Sequence, residues 1–407
     1  FISNYFPDST NSEGYFFMTT TYDVMVVGGG IVGASTAYAL LNKGQNVLLI
    51  DQFEPGHDRG SSHGDGRVVR FNYTESIYVE MAMLGYPAWE RLSQAAGIPL
   101  IQKTGMIEYG AVDCIPLQES EAQLKKYQIA YEKLSANEAN QRFPQFHFAN
   151  NANIIYQAEA AVAFATPAVQ ALWRLFREQG GTAITGKRIA GITVSDEIVT
   201  LTATDGASYT AAKAVIAAGG WAKQLLATTD LDIPLEVTQE ILAYFAPKDD
   251  SVNHHIGTMP VAIDYHEHLE DPFYCLPIVD VGGVKMGWHH TGPVMQPDDD
   301  RVIPDAVLDG MRGWIARFLP QLQTEPLEIH TCLYSNTPDY HFILDKHPQY
   351  DNIVVAAGFS GHGFKFGPIL GELLADLTLD EALPLSLETF ALSRFNDPSK
   401  IQRRVGA

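Results

Sequence analysis

Tyr22-Asp23-Val24-Met25-Val26-Val27-Gly28-Gly29-Gly30-Ile31-Val32-Gly33 is the stretch on which the fold of this chain turns. Tyr22 to Val27 is a short run of apolar, β-prone residues, the pattern of a buried parallel strand. Three glycines close it. Beyond them Ile31, Ala34, Tyr38 and Leu41 recur at helical spacing, and Gly44 after Lys43 supplies a helix stop. A second apolar run, Val47 to Ile50, ends at Asp51. Strand, helix and strand within about 30 residues make a right-handed β-α-β crossover.

Gly28, Gly30 and Gly33 satisfy G-x-G-x-x-G. The first glycine makes the tight turn, the second lets the backbone approach a pyrophosphate, and the third lets the helix pack on the strand. The helix start at Ile31 and Val32 offers unpaired N–H groups and the positive end of a dipole to phosphate. Asp51 stands 23 residues after Gly28, where a carboxylate binds ribose hydroxyls. These residues predict a dinucleotide site, and the motif fits FAD and NAD alike.

Two further strand-glycine-helix units lie along the chain. Ile192 to Thr204 and Ser208 to Val215, around the turn Thr204-Asp205-Gly206, read as antiparallel strands; Ala214 to Ala218 then reads as a parallel strand before Gly219-Gly220 and a helix near Trp221. Asn352 to Ala357 is another buried-type strand closed by glycine, and Pro368 opens a helix with Ile369, Leu370, Leu373, Leu374 and Leu377 on one face. Segments 18–100, 160–236 and 340–395 therefore assemble one nucleotide-binding domain. Segments 101–159 and 237–339 are rich in aromatic and β-branched residues, with sustained helical periodicity only from Asp305 to Leu319, and are expected to form a substrate domain. The expected fold class is α/β (α+β): a Rossmann-like domain interleaved with a domain built on a mostly antiparallel sheet. The charge cluster Asp298-Asp299-Asp300-Arg301 reads as a solvated turn. Residues 1–17, without Lys or Arg, read as a tail ahead of Met18.

Composition narrows the partners. The 407 residues carry 48 acidic and 27 basic side chains, a net charge of −21, which disfavours nucleic acid and anionic membrane surfaces. Apolar runs are broken well before the roughly 20 residues of a membrane span. Cys114, Cys275 and Cys332 are too few and too far apart for a disulfide framework or a zinc cluster, so no metal is expected and a reducing, cytoplasmic setting fits. The expected partner is a small molecule, bound by a monomer or small homo-oligomer.

Three segments carry a resemblance. Gly60-Ser61-Ser62-His63-Gly64-Asp65-Gly66-Arg67-Val68-Val69-Arg70 resembles the G-S-H-H-G-D-T-R-x-x-R segment of the monomeric sarcosine oxidase and N-methyltryptophan oxidase family. Gly358-Phe359-Ser360-Gly361-His362-Gly363-Phe364-Lys365-Phe366 is similar to that family's C-terminal segment. Thr331-Cys332-Leu333-Tyr334, followed by Thr337-Pro338-Asp339-Tyr340-His341-Phe342, is similar to the segment that carries covalent flavin. Order and spacing agree from about Tyr22 to Phe395. The resemblance is to FAD-dependent amine oxidases of the D-amino-acid-oxidase-type superfamily. It implies a covalent FAD cofactor and N-methyl or cyclic secondary amino acids as substrates. It also implies an imine product that hydrolyses, and dioxygen reduced to hydrogen peroxide.

By that resemblance, Cys332 is the flavin anchor, although a buried inert thiol is the ordinary reading of such a cysteine. Arg70 and Lys365 match the pair binding the substrate carboxylate, where Arg offers a bidentate fork. Lys285 matches the lysine that promotes reaction with dioxygen; His289 and Tyr274 match active-site residues, and Tyr334 matches a tyrosine lining the substrate site. His63 and Arg67 match residues packed near the flavin, and Ser61, Gly361, Gly363, Phe364 and Lys365 fall in its binding segments. A dehydrogenase using another acceptor would favour a neutral residue at Lys285, and a non-catalytic flavoprotein would not need Arg70, Lys285 and Lys365 together. The helix after Gly367 is expected to aim its N-terminus at the flavin. The chain departs from the family at Ser62 (histidine), Gly66 (threonine), Phe71 and Asn72 (histidine and alanine) and after Lys365. These changes bear on the substrate side chain.

Overall fold

The opening run folds as the strand Thr21–Val27, inside an eight-stranded sheet. The computed structural model describes residues 21–195, 197–265, 271–397, 399 and 401; the expected tail over 1–17 and the start at Met18 fall outside them. Thr21–Val27 pairs in parallel with Val47–Ile50 on one side and with Ser208–Ile216 on the other, and Val47–Ile50 pairs in parallel with Thr182–Ile184. Val24 to Val27 and Val47 to Ile50 are buried, as strands covered on both faces must be. Helix Ile31–Asn42 crosses between them and ends at Lys43, with Gly44 at φ +79°.

Ser208–Ile216 changes partners along its length. Residues 208–211 pair antiparallel with Ile198–Ala203, while Ala214 to Ile216 pair in parallel with Ile353–Ala357. The run from Ile192 to Thr204, expected as one strand, is two: Ile189–Ser195 and Ile198–Ala203 form a hairpin. Glu197 takes the left-handed conformation at its turn, φ +66°, without a glycine to announce it.

The second sheet also has eight strands, in the order Leu322–Asn336, Glu236–Pro247, Val284–Trp288, Phe273–Leu276, Val261–Asp264, Met106–Gly110, Asn153–Gln157, Glu132–Leu134. Its pairs are antiparallel except Val261–Asp264 with Met106–Gly110. The fold is thus mixed α/β, with one largely parallel and one mostly antiparallel sheet. Side chains alternate across a strand, and this sheet uses both faces. Ile241, Ala243, Phe245, Phe273, Cys275, Val284 and Met286 pack into a core closed by helix Asp305–Phe318, through Met311, Trp314 and Ile315. The alternate residues Leu242, Tyr274, Leu276, Lys285, Cys332 and Tyr334 line a cleft.

Helix Gly367–Thr378 packs on helix Ile31–Asn42 at very close range. A Cβ on Gly367 would lie 2.3 Å from Ile31, and one on Gly371 2.5 Å from Ser35. Asp298, Asp299 and Asp300 stand exposed in a turn, where Asp298 accepts from Trp221 Nε1 at 2.8 Å and pairs with Arg188 at 2.9 Å. Among the described residues no helix is long and apolar enough to cross a membrane.

Candidate active site

The cleft holds about 450 Å³ and opens at the ends of the parallel strands, at Val27, Ile50 and Ala217 just past Ile216. The carboxyl ends of parallel strands are where open α/β sheets take ligands. Gly28 adopts φ +99°, and a Cβ there would meet the Ala217 carbonyl oxygen at 2.3 Å; a Cβ on Gly33 would meet the Gly28 carbonyl oxygen at 1.8 Å. Both positions therefore require glycine. Gly28, Gly30, Ile31, Val32 and Asp51 line the cleft, while Gly33 lies beneath the turn and shapes it. Asp51 is buried and accepts from the Gly29 N–H at 2.5 Å and the Phe53 N–H at 2.8 Å. Burial pushes its carboxyl up, against the pull of those two donors.

The segment after Gly60 crosses the mouth of this loop. Ser62 Oγ accepts the Ile31 N–H at 3.1 Å, at a helix start where Gly30 provides no side-chain cap. The serine that departs from the family pattern thus supports the phosphate-facing end of the helix, a role its sequence position did not signal. Ser61 donates to the Leu333 carbonyl and so ties this segment to the strand carrying Cys332. Arg67 donates to the Gly66 and Ser61 carbonyls at 2.9 Å each. His63 lies outside the cleft wall, buried; desolvation and the nearby Arg67 and Lys285 hold it down to about 3, so it is neutral at pH 7.

The antiparallel sheet supplies the opposite wall. Lys285 is buried and donates to the Gly66 carbonyl at 2.9 Å. Desolvation, with the Arg67 charge, drives its ammonium well below the usual lysine range. His289 Nδ1 and the Tyr334 hydroxyl lie 3.0 Å apart. Tyr274 stands over Gly287, where a Cβ would come within 2.5 Å of its hydroxyl. Burial pushes Tyr274 and Tyr334 up, so both are un-ionised donors. Cys332 is 4% exposed on this wall, and burial raises its thiol to about 11 while Arg67 and Lys285 pull it down. Cys275 sits on the other face of the sheet and Cys114 in a separate core, both away from the cleft.

The C-terminal glycine segment closes one end. Gly361, at φ +78°, would place a Cβ 2.3 Å from the Tyr334 ring, so two motifs far apart in sequence interlock here. Gly361, Gly363, Phe364 and Lys365 line the cleft. Lys365 Nζ donates to the His362 carbonyl at 2.9 Å, and the Trp89 indole N–H fixes the Lys365 carbonyl at 2.7 Å. The 3-10 turn Phe364–Phe366 faces the cleft, whereas Gly367 at the helix start is seated against Ile31. The expected aim of that N-terminus therefore passes to the turn ahead of it, because packing on the first helix occupies the start.

Arg70 and Lys365 both approach the Tyr73 ring, 4.7 and 5.5 Å from its centroid. Arg70 is not isolated: its Nη1 pairs with Glu108 Oε1 at 2.5 Å, in a place where both side chains are buried. Glu108 is not singled out in the sequence, and Trp221, expected only at a helix start, lines the cleft. Glu108 looks like an ordinary polar residue inside Met106–Gly110, and nothing in its spacing points 38 residues back.

A glycine turn of this shape at the ends of parallel strands, facing a second sheet across a cleft, belongs to dinucleotide-dependent oxidoreductases. The FAD dependent oxidoreductase family matches residues 23–377, and the chain belongs to that family. It is 33% identical over 389 residues to the peroxisomal sarcosine oxidase of Homo sapiens, covering 92% of this chain and 96% of that protein. It is 30% identical over 383 residues to the monomeric sarcosine oxidase of Bacillus sp. (strain B-0618), covering 93% and 97%. Among solved structures it is similar to NikD, an unusual amino acid oxidase of nikkomycin biosynthesis, with a TM-score of 0.81, 23% identity, and 91% and 97% of the two chains covered. The protein is an FAD-dependent oxidoreductase.

Proposed function

We propose that the protein is an oxidase of secondary amino acids, N-methyl or cyclic, that carries FAD covalently on Cys332 and uses dioxygen as electron acceptor. Bound FAD supplies a hydride acceptor for the carbon next to the amine nitrogen; the substrate becomes an imine that water hydrolyses, and dioxygen becomes hydrogen peroxide. The observation that carries this reading is the convergence on one cleft of Arg70, Tyr274, Lys285, His289, Cys332, Tyr334 and Lys365 with the glycine turn. Arg70 and Lys365 hold the substrate carboxylate by charge-assisted hydrogen bonds. Tyr334 and His289, coupled through their 3.0 Å contact, and Tyr274 beside them shape the amine end of the site. Lys285, buried beside Gly66, offers a donor where charge develops on reduced oxygen. Burial holds the Cys332 thiol up at about 11, and Arg67 is the main group pulling it back toward the thiolate.

The names of the sarcosine oxidases support the substrate class. Acid-precipitated protein should keep its yellow colour, and Cys332→Ala should release it to the supernatant. Peroxide assayed over N-methyl and cyclic amino acids should identify the substrate. Colour in the supernatant of the wild type refutes the covalent link, and no peroxide with any amine refutes the oxidase.

A further inference from the structure

We infer that Glu108 is a specificity-determining residue, which neutralises Arg70 and restricts the cleft to amino acids bearing a single carboxylate. The inference rests on Arg70 as a ligand of the substrate carboxylate, and it adds what the charge around that arginine selects. Arg70 is 3% and Glu108 1% exposed, so water does little to screen the pair. Glu108 cannot turn away. Its Oε1 takes Arg70 Nη1 at 2.5 Å, and its Oε2 takes Asn72 Nδ2 at 2.9 Å and Ser120 Oγ at 3.2 Å. Asn72, one of the departures from the family pattern, is thus part of the device. Tyr265, kept un-ionised by burial, lies against the same guanidinium, and the Glu108 carboxylate beside it holds Arg70 protonated against burial.

Burial pushes the Glu108 carboxyl up while Arg70, Asn72 and Ser120 pull it back, and with donors on both oxygens it stands as the carboxylate that matches the Arg70 charge. Arg70 lines the cleft, and Glu108 takes only its Nη1. A donor left on the guanidinium can serve one carboxylate oxygen without adding net positive charge. A second carboxylate would have to compete with Glu108 for the same guanidinium, or be desolvated in a cleft that the apolar Val68, Ile263 and Leu276 also line. Desolvating a second anion there, unpaired, is strongly unfavourable. Removing the Glu108 charge returns one full positive charge to the cleft and opens it to dicarboxylates.

The test compares N-methylglycine with iminodiacetate, which adds one carboxylate to the same secondary amine. On the holoenzyme, kcat/KM should favour N-methylglycine by tenfold or more, and Glu108→Gln should move that ratio toward iminodiacetate by at least tenfold. A merely structural role would depress both substrates together, so an unchanged ratio overturns the inference. Should the variant not fold, the wild type still decides. (Methylthio)acetate and thiodiglycolate, in which sulfur replaces the NH, are titrated by the perturbation of the flavin spectrum. Tighter binding of the monocarboxylate by tenfold or more supports the inference, and equal affinities overturn it. Wild-type protein that oxidises neither amine leaves the inference to the titration, which needs no turnover, while the oxidase reading is decided by the full panel of N-methyl and cyclic amino acids.

Discussion

Glu240 provides the sharpest test of the physical reasoning. It lies on Glu236–Pro247 opposite Cys332, on the cleft side of the sheet, and is 2% exposed. Its carboxyl accepts the Thr238 hydroxyl at 2.6 Å and the Gly292 N–H at 3.2 Å, and so holds the turn that follows His289. No cation is among the principal groups acting on it, and burial pushes it up from an ordinary 4.5 to about 7. Because the folded pKa is raised, the folded protein keeps a proton that the unfolded chain releases between about pH 4.5 and 7. The associated stability is fully present below pH 4.5 and is lost as pH rises through 7. At about 1.4 kcal/mol per unit, the loss is about 3 kcal/mol. Glu240→Gln removes the titration, while rearranging the Thr238 bond by a constant, pH-independent amount of about 1 kcal/mol. Urea unfolding of both proteins at pH 4.5, 6 and 8 should therefore show the variant gaining about 3 kcal/mol on the wild type across the series. A difference that stays constant with pH would refute the buried, unpaired carboxylate.

Two further outcomes follow from the cleft. Lys365→Ala should raise the substrate KM tenfold or more with a smaller change in kcat, reflecting about 1.5–3 kcal/mol for a charged hydrogen bond; an unchanged KM removes Lys365 from the carboxylate site. Gly33→Ala should abolish flavin binding or folding, since its Cβ would stand 1.8 Å from the Gly28 carbonyl oxygen. A soluble, fully yellow Gly33→Ala protein with wild-type thermal stability would show that the turn can open.

The glycine turn, its two strands and its helix were legible because all of their determinants lie within about 30 consecutive residues, where steric demands and periodicity leave a local signature. The same holds for Ser208–Ile216 and Ile353–Ala357, written as apolar runs. The hairpin between Ile189–Ser195 and Ile198–Ala203 was missed because Glu197 makes its turn without a glycine. The motif residues around Arg70, Lys285, Cys332 and Lys365 could be singled out by resemblance, and the tertiary structure gathers them into one cleft.

Other features belong to the fold alone. Period-two alternation says that Cys275 and Cys332 each face one side of a strand, but only the pairing of strands shows that one side is a core and the other the cleft. Sequence spacing likewise could not show Ser62 under the Ile31 N–H, His63 neutral behind the wall, or Glu108 against Arg70. Where a dinucleotide binds can be read along the chain, because that requirement is met by neighbours in sequence. The charge and protonation of the site emerge only on folding, because they depend on burial and on partners brought together from distant segments.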